Sequence, residues 1–338
     1  TGMHQVIGAF VEYLSGGHVM IMLFLVAVMS LILGMGLPTT ANYLVVSSLM
    51  APVIVSVGAQ SGLIVPLVAV HLFVFYFGIL ADDTPPVGLA AFAAAAISGG
   101  DPIKTGIQGF AYDIRTALLP FLFIFNTDLL LIDVSFGKAI LVFIVAVTAM
   151  MLFAAATQSF FIVRSKWWET IALLLIAFTL FRPGFWLDYV QPEFQKVSGT
   201  EIERLASEAP DGGTLRVNLT GPDFNNQDAN RQQTLILDLG EAGDGAARLE
   251  RQGLVVNVDG EQAAVDEPFP GTPLMEPLQD FDFYGDTPVE IAAVDVPNER
   301  MPKEVFYLPA LLLLALVVML QRRRREDDIG AQTATASA

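Results

Sequence analysis

The sequence contains no cysteine, which excludes disulfides and thiolate metal sites and leaves the compartment open. It is also poor in charge: 16% of residues are Asp, Glu, Lys or Arg, where a soluble globular chain carries about a quarter. Histidine is scarce, and His4, His18 and His71 stand apart at spacings that suit no metal site; His71, on an apolar run, reads as a packed core residue. No Ser/His/Asp arrangement, phosphate-cradling glycine loop before a strand, or pair of histidines on one helix face is present, so nothing points to an enzyme. A charged-then-apolar-then-small leader is missing as well. The chain starts at Thr1 and enters an apolar region within its first 20 residues, so it is expected to be part of a longer protein.

What the sequence does have is apolar length, with 54% hydrophobic residues. The acid that gives the net charge of -17 is concentrated. Between Arg182 and Glu304 there are 24 acidic and nine basic residues, a net of -15, and the remainder is nearly neutral. Such a segment repels phosphates, which excludes a nucleic-acid partner.

The first apolar run, Val19 to Leu33, ends in Gly34-Met35-Gly36-Leu37-Pro38-Thr39-Thr40-Ala41-Asn42, and a second follows from Tyr43 to Val57. A spanning helix needs about 20 apolar residues. Two arms this short, joined by a Gly/Pro/Thr/Asn tip, predict a re-entrant hairpin over 19–57 whose non-helical tip is buried in protein or lines a wet cavity. A third run, Gly62 to Ile97, is interrupted at Ala81-Asp82-Asp83-Thr84-Pro85-Pro86-Val87-Gly88. Proline lacks a donor and pushes the preceding residue out of helix, so this stretch predicts one discontinuous helix, with the broken element over 62–97.

Ser98 to Lys104 reads as a loop, and the apolar stretch Thr116 to Phe125 follows Arg115. Phe136–Phe161 and Trp167–Phe181 read as spans, with Trp167 and Trp168 as interface anchors. Residues 182–304 hold short alternating stretches at 214–219, 233–239, 253–258 and 289–294, punctuated by Gly, Asp and Pro, which predicts a small, mostly β domain. A last span, 305–321, is closed by Arg322-Arg323-Arg324-Arg325, and the tail to residue 338 reads as polar and disordered. Lys/Arg bias puts the C-terminus, Lys104, Arg115, Arg164 and Lys166 in the cytoplasm and the acidic domain outside. The expected fold is thus an all-α multi-span membrane bundle with a re-entrant hairpin and a discontinuous helix, plus a small mostly-β extracytoplasmic domain. Its expected divisions are 1–135, 136–181, 182–304, 305–321 and 322–338.

Broken helices meeting at the midplane form the ion and substrate sites of secondary transporters. Thr39, Thr40 and Asn42 offer short polar groups beside free backbone donors, where a carboxylate can bind. Thr84 offers a hydroxyl beside carbonyls that the prolines leave unpaired. Asp82 and Asp83 are costly at membrane depth, which makes them candidates for an ion site unless they face a wet helix end.

At these two breaks the sequence resembles the large permease subunit of TRAP (tripartite ATP-independent periplasmic) transporters, closest to the branch with fused small and large subunits. The resemblance rests on Gly34 to Leu44, on His71 to Phe77 running into Ala81–Val87, on Asp101 to Gly106 and on Leu119-Pro120-Phe121, and covers roughly 1–135. Pro270-Gly271-Thr272-Pro273, followed by an acidic-aromatic turn, resembles PDZ-like domains. The resemblance implies an elevator-type repeat, sodium-coupled uptake of a small organic acid such as a C4-dicarboxylate, and no cofactor beyond the coupling ion. Backbone at Gly36, Ala81 and Val87 with the Thr84 hydroxyl would hold sodium, and Thr39, Thr40 and Asn42 would lie near the substrate carboxylate. The implied partners are an extracytoplasmic solute-binding protein, an N-terminal repeat or small permease subunit, and membrane lipid; the implied location is the bacterial cell inner membrane. Two departures stand out: only one hairpin-plus-broken-helix set is present, and Asp83 replaces an expected apolar residue, either adding a carboxylate to the ion site or facing a wet crevice. The rival reading is a membrane-anchored scaffold or sensor that works through 182–304.

Overall fold

The computed structural model describes residues 3–16, 18–60, 62–84, 88–224, 226–260, 262–285 and 287–336. Its helices and strands follow in the order α1 (Met3–Ser15), α2 (Val19–Gly34), α3 (Thr39–Gln60), α4 (Leu67–Asp83), α5 (Leu89–Ser98), α6 (Pro102–Phe125), α7 (Phe136–Thr157), α8 (Trp167–Phe181), α9 (Gly184–Val190), β1 (Phe194–Ser198), α10 (Ile202–Glu208), β2 (Thr214–Asp223), β3 (Asn226–Asp238), α11 (Gly245–Gln252), β4 (Val256–Asp259), β5 (Gln262–Val265), α12 (Met275–Leu278), β6 (Glu290–Pro297) and α13 (Tyr307–Ala336). Two compact units result. One comprises Thr1–Val26, Ser48–Val65 and Glu193–Glu299, and the other Ala27–Ser47, Pro66–Pro192 and Arg300–Ala338. Most of α3 therefore groups with the sheet, unlike the linear division read from the sequence.

In the second unit the break after α4 has the local cause expected of it. Thr84 precedes a proline and takes an extended conformation (φ -94°, ψ 131°), the region to which a following proline drives a residue. Gly88 then adopts a left-handed turn (φ 43°) and α5 begins. Residues 98–104 are not the free loop expected. Gly99 caps α5 in the left-handed region, Asp101 accepts from the Lys104 amide at 2.9 Å, and Pro102 occupies the first turn of α6, an N-cap with proline just inside the helix. α6 is thus one 24-residue helix. Its polar first half hid its continuity with the apolar stretch at 116–125.

α6 presents two apolar stripes. Phe121 makes edge contacts with Phe73 and Phe77 of α4, at centroid distances of 5.2 and 5.7 Å, and Phe123 meets Tyr76 at 5.8 Å. Leu118 and Leu122, four apart on one helix face, pack into a buried core with Leu152 of α7, Leu173, Ile176 and Leu180 of α8, and Val317 of α13. Polar contacts fasten the same end. Asn126 donates to the Phe181 carbonyl at 2.6 Å, and the Arg182 guanidinium sits 4.1 Å over the Phe125 ring. Asp128, in the turn between α6 and α7, pairs with Lys303 at 2.5 Å and Lys138 at 3.1 Å.

Burial of Asp128 works to raise its pKa, but the hydrogen bonds and charges of Lys303 and Lys138 outweigh it and hold the carboxyl below its ordinary 3.8. A depressed carboxylate stabilises the fold above its unfolded pKa, and that contribution is lost as pH falls through the lower folded value. Asp128→Asn is therefore expected to cost on the order of 1 kcal/mol at neutral pH. The gap in thermal unfolding between variant and wild type should close below about pH 3.8. A gap of equal size at pH 7 and pH 3 would contradict this.

At the other end of α8, Glu169 and Gln321 are fully buried. Glu169 accepts from Lys166 N (2.8 Å), Gln321 Nε2 (3.0 Å) and Arg324 Nη2 (2.8 Å). Gln321 in turn accepts from the Ile162 amide at 3.0 Å. One of the four arginines read as a topology signal thus has a specific structural partner. The chain beyond it differs from expectation too: α13 continues to Ala336, in place of the disordered tail expected over 326–338. The Arg/Glu/Gln/Ala content of that stretch favours helix.

In the first unit a six-stranded antiparallel sheet has β6 at its centre. β2 runs along one edge of β6, while β5 and β1 share the other. Strand alternation sorts the two faces. Leu215, Val217 and Leu219 of β2 join Ile291 and Val294 of β6 in a core closed by Ile202, Ala206, Leu249 and Leu278. The opposite face carries a polar chain: Arg216 donates to Asp295 at 3.0 Å, Asn218 to Asp295 at 2.8 Å, and Thr234 to Asn218 at 2.6 Å. Arg216 also donates to the carbonyl of Gly62, in the turn that follows α3. The four alternating stretches of the sequence correspond to β2, β3, β4 and β6; β1, β5 and the short helices had no such signal.

Candidate functional site

The hairpin tip is shorter than the sequence implied. Only Met35–Pro38 lie between α2 and α3, and Thr39, Thr40 and Asn42 belong to the first turn of α3. α2, at 16 residues, is too short to span, but α3 has 22 residues and meets the length and hydropathy of a span. The picture of two equally short arms is corrected for α3, which gains the polar residues at both of its ends.

Asn42 is the key to this tip. It has no exposed surface, and its Nδ2 donates to the carbonyl of Gly78 on α4 at 2.5 Å. A carbonyl only accepts, so the amide nitrogen must face it and Oδ1 must point the other way. That Oδ1 is buried and has no hydrogen-bond partner among the described residues. A buried acceptor left unmade costs about 1–3 kcal/mol and calls for an explanation such as a bound ion.

Small residues make room for this amide. A Cβ on Gly34 would come within 2.5 Å of Asn42 Nδ2 and 2.8 Å of Ala81 Cβ, and one on Gly78 within 3.2 Å of the same nitrogen. The end of α2, the start of α3 and the last turns of α4 therefore meet in a slot that only glycine and alanine permit. Gly36, by contrast, faces open space and is needed for its backbone (φ 81°). Sequence reasoning singled out Gly36 and Ala81 and missed Gly34 and Gly78. A signal was available in the one-turn spacing of Gly78 and Ala81 on an otherwise bulky helix.

The remaining sequence-derived residues fall into three groups. Thr39 and Thr40 are exposed at the start of α3, whereas Asn42, expected beside them at the substrate, is inside. Thr84 Oγ1 donates to Leu80 O at 2.5 Å, which leaves the hydroxyl lone pairs free to accept or to bind a cation. Val87 lies outside the described residues, and the side chains of Asp82 and Asp83 lie outside the described side chains. Among the described residues no three His, Asp or Glu side chains converge on a metal position. His71 is not a bystander, since its Nδ1 is 3.0 Å from the Tyr43 hydroxyl.

Comparison with known families places this geometry. Residues 1–138 match the model of the DctM component of tripartite ATP-independent periplasmic transporters. That segment, and not the chain as a whole, is similar to the TRAP large permease subunit. Residues 139–327, more than half of the chain, belong to a second family, a domain of unknown function termed DUF3394. No curated protein and no solved structure matches the chain. In TRAP terms the hairpin tip and the break after α4 lie within the DctM segment, while α7, α8, the sheet and α13 make up the DUF3394 segment. The match of residues 1–138 to a transporter component and three described helices long and apolar enough to span fit a multi-pass membrane protein.

Proposed function

We propose that this permease segment carries one half of a sodium-coupled site for a small organic acid, built where the hairpin tip meets the broken helix. The observation that carries the reading is Asn42, whose buried Oδ1 is a hard oxygen acceptor without a partner among the described residues, beside a helix end. Sodium suits such oxygen ligands, and unwound helix ends in transporters supply more of them as carbonyls. The Thr84 hydroxyl and backbone at Gly36, Ala81 and Val87 complete the proposed ion set. Asp82 and Asp83 follow it directly and are proposed to add charge to the ion site.

Thr39 and Thr40, at the positive end of a 22-residue helix, are the proposed contacts of the substrate carboxylate. An extracytoplasmic binding protein delivers the acid and a small subunit accompanies the permease, as the family implies. The Lys/Arg bias supports a cytoplasmic C-terminus and an outward sheet. A membrane-anchored sensor would not require the glycine slot around Asn42.

Uptake of the acid into vesicles by the complete transporter with its binding protein tests the coupling. Uptake unchanged after sodium removal and collapse of its gradient would refute it. Thr84→Val keeps the shape and removes the hydroxyl. It is expected to raise the sodium concentration for half-maximal uptake by roughly ten-fold, equivalent to about 1.4 kcal/mol. An unmoved sodium titration would remove Thr84 from the site.

A further inference from the structure

The function of the DUF3394 segment is open, and its attachment answers a mechanical question about it. α6 is a shared wall. One stripe of it, with Phe121 and Phe123, packs on Phe73, Phe77 and Tyr76 of α4 just before the break, and α6 also packs along α5 just after it. The other stripe, with Leu118 and Leu122, is part of the buried core of α7, α8 and α13. Asn126 on Phe181 O, Arg182 on Phe125, and Asp128 between Lys138 and Lys303 close the same junction. Close-packed interiors transmit displacement and do not shear continuously. Hinges, where they exist, sit in loops or element ends with few packed side chains. The α6 junction is the opposite: apolar packing is reinforced by two ion pairs, a cation–π contact and a side-chain hydrogen bond.

A second, separate observation comes from the sheet. Its Arg216, held by Asp295 at 3.0 Å and lying 4.6 Å over Phe194, donates to the carbonyl of Gly62 at the end of the α2–α3 hairpin. The helices of DUF3394 thus hold α6, which itself packs on the broken helix, while Arg216 of the sheet reaches the turn after α3.

We infer that the helices of the DUF3394 segment are a rigid extension of the body that carries the break, so that α7, α8 and α13 move with it and do not form a fixed frame past which it slides. The inference rests on the transport reading above for the existence of a moving site, and makes this segment cargo of that motion.

The absence of native cysteine in this chain makes the test direct. In the complete transporter, with any cysteine outside this chain replaced, the pair Asp128→Cys and Lys303→Cys is bridged by a short bis-methanethiosulfonate. Sodium-driven uptake is measured before bridging, which tests the transport reading by itself. The rigid-body inference expects the bridged protein to keep uptake within about two-fold of the unbridged one. Loss on bridging, restored by reductant, would overturn it. Phe125→Cys with Arg182→Cys serves as a second pair should the first fold poorly.

A readout independent of uptake uses spin labels at Ile97→Cys on α5 and Met151→Cys on α7, both exposed positions. One unchanged distance distribution without sodium, with sodium, and with sodium plus substrate is expected. A second distance population under any of these conditions would overturn the inference.

Discussion

Asn42→Asp is expected to lower uptake by the complete transporter at least about 30-fold, the equivalent of roughly 2 kcal/mol. The change is nearly isosteric, so packing is preserved and chemistry alone is altered. An oxygen would replace the Nδ2 that now donates to Gly78 O at 2.5 Å, setting two acceptors against each other in a position without solvent. If the carboxylate stays ionised it is also a buried charge, which is strongly destabilising unless an ion compensates it. Gly34→Ala should have a comparable effect for a steric reason: the new methyl would overlap Asn42 Nδ2 and Ala81 Cβ, neither of which has room to retreat. Gly36→Ala should be milder, at about 1–2 kcal/mol for the left-handed backbone alone, because its side chain would meet open space. Uptake assays at matched membrane abundance check the ranking. Asn42→Asp within three-fold of wild type would show that the slot does not matter to transport.

The largest stability effect is expected at Arg248. This guanidinium is completely buried, and its five N–H groups are matched by five carbonyls: Leu239 O at 3.1 Å from Nε, Ala206 O and Ala209 O at 2.7 Å from Nη1, and Pro210 O and Gly240 O at 3.0 and 3.1 Å from Nη2. It ties α10, the following loop and the end of β3 to α11. Arg248→Met keeps much of the apolar stem and strands five acceptors. At about 1–3 kcal/mol for each group left unsatisfied, the loss rivals the about 5–15 kcal/mol that stabilises a typical domain. Residues 193–299 are therefore expected to become protease-sensitive in the membrane-embedded protein, while the helices remain resistant. Arg248→Lys should fall between the two, because one ammonium supplies three donors without the planar fork. A wild-type cleavage pattern for Arg248→Met would show that the carbonyls find other partners.

The parts of the fold legible in sequence were those written in strong local signals. Pro85 and Pro86 announced the break after α4, and Thr84 takes the backbone conformation that a following proline imposes. Alternation at 214–219 and 289–294 announced β2 and β6, whose partners across the ladder it could not name. What stayed hidden depends on residues far apart in sequence. α6 was cut short because Lys104, Gln108, Asp113 and Arg115 mask its first half. Its helical character there comes from the cap at Asp101, a three-residue contact easily read as a loop.

At the candidate site the residue types were legible and their roles were not. Thr39, Thr40 and Asn42 looked alike as polar decorations of one tip. Only the packing of α4 against that tip separates two exposed hydroxyls from one buried amide. Arg248 carried no signal, because a buried charge satisfied by distant backbone carbonyls has no local pattern.

The ends of the sheet domain have one more consequence. Phe194 and Pro297 are paired across β1 and β6, and the amide of Asn298 reaches the carbonyl of Glu193 at 3.0 Å. On the helical side, the amide of Met301 meets the Gln191 side chain at 3.0 Å and Arg300 meets Asp188 at 2.5 Å. Residues 193–299 thus begin and end side by side. A hundred-residue excursion of this kind can be spliced in or out as one cassette, leaving the order and direction of the surrounding helices untouched. What this segment presents to its surroundings can vary while the two paired strands that hold its ends stay in place.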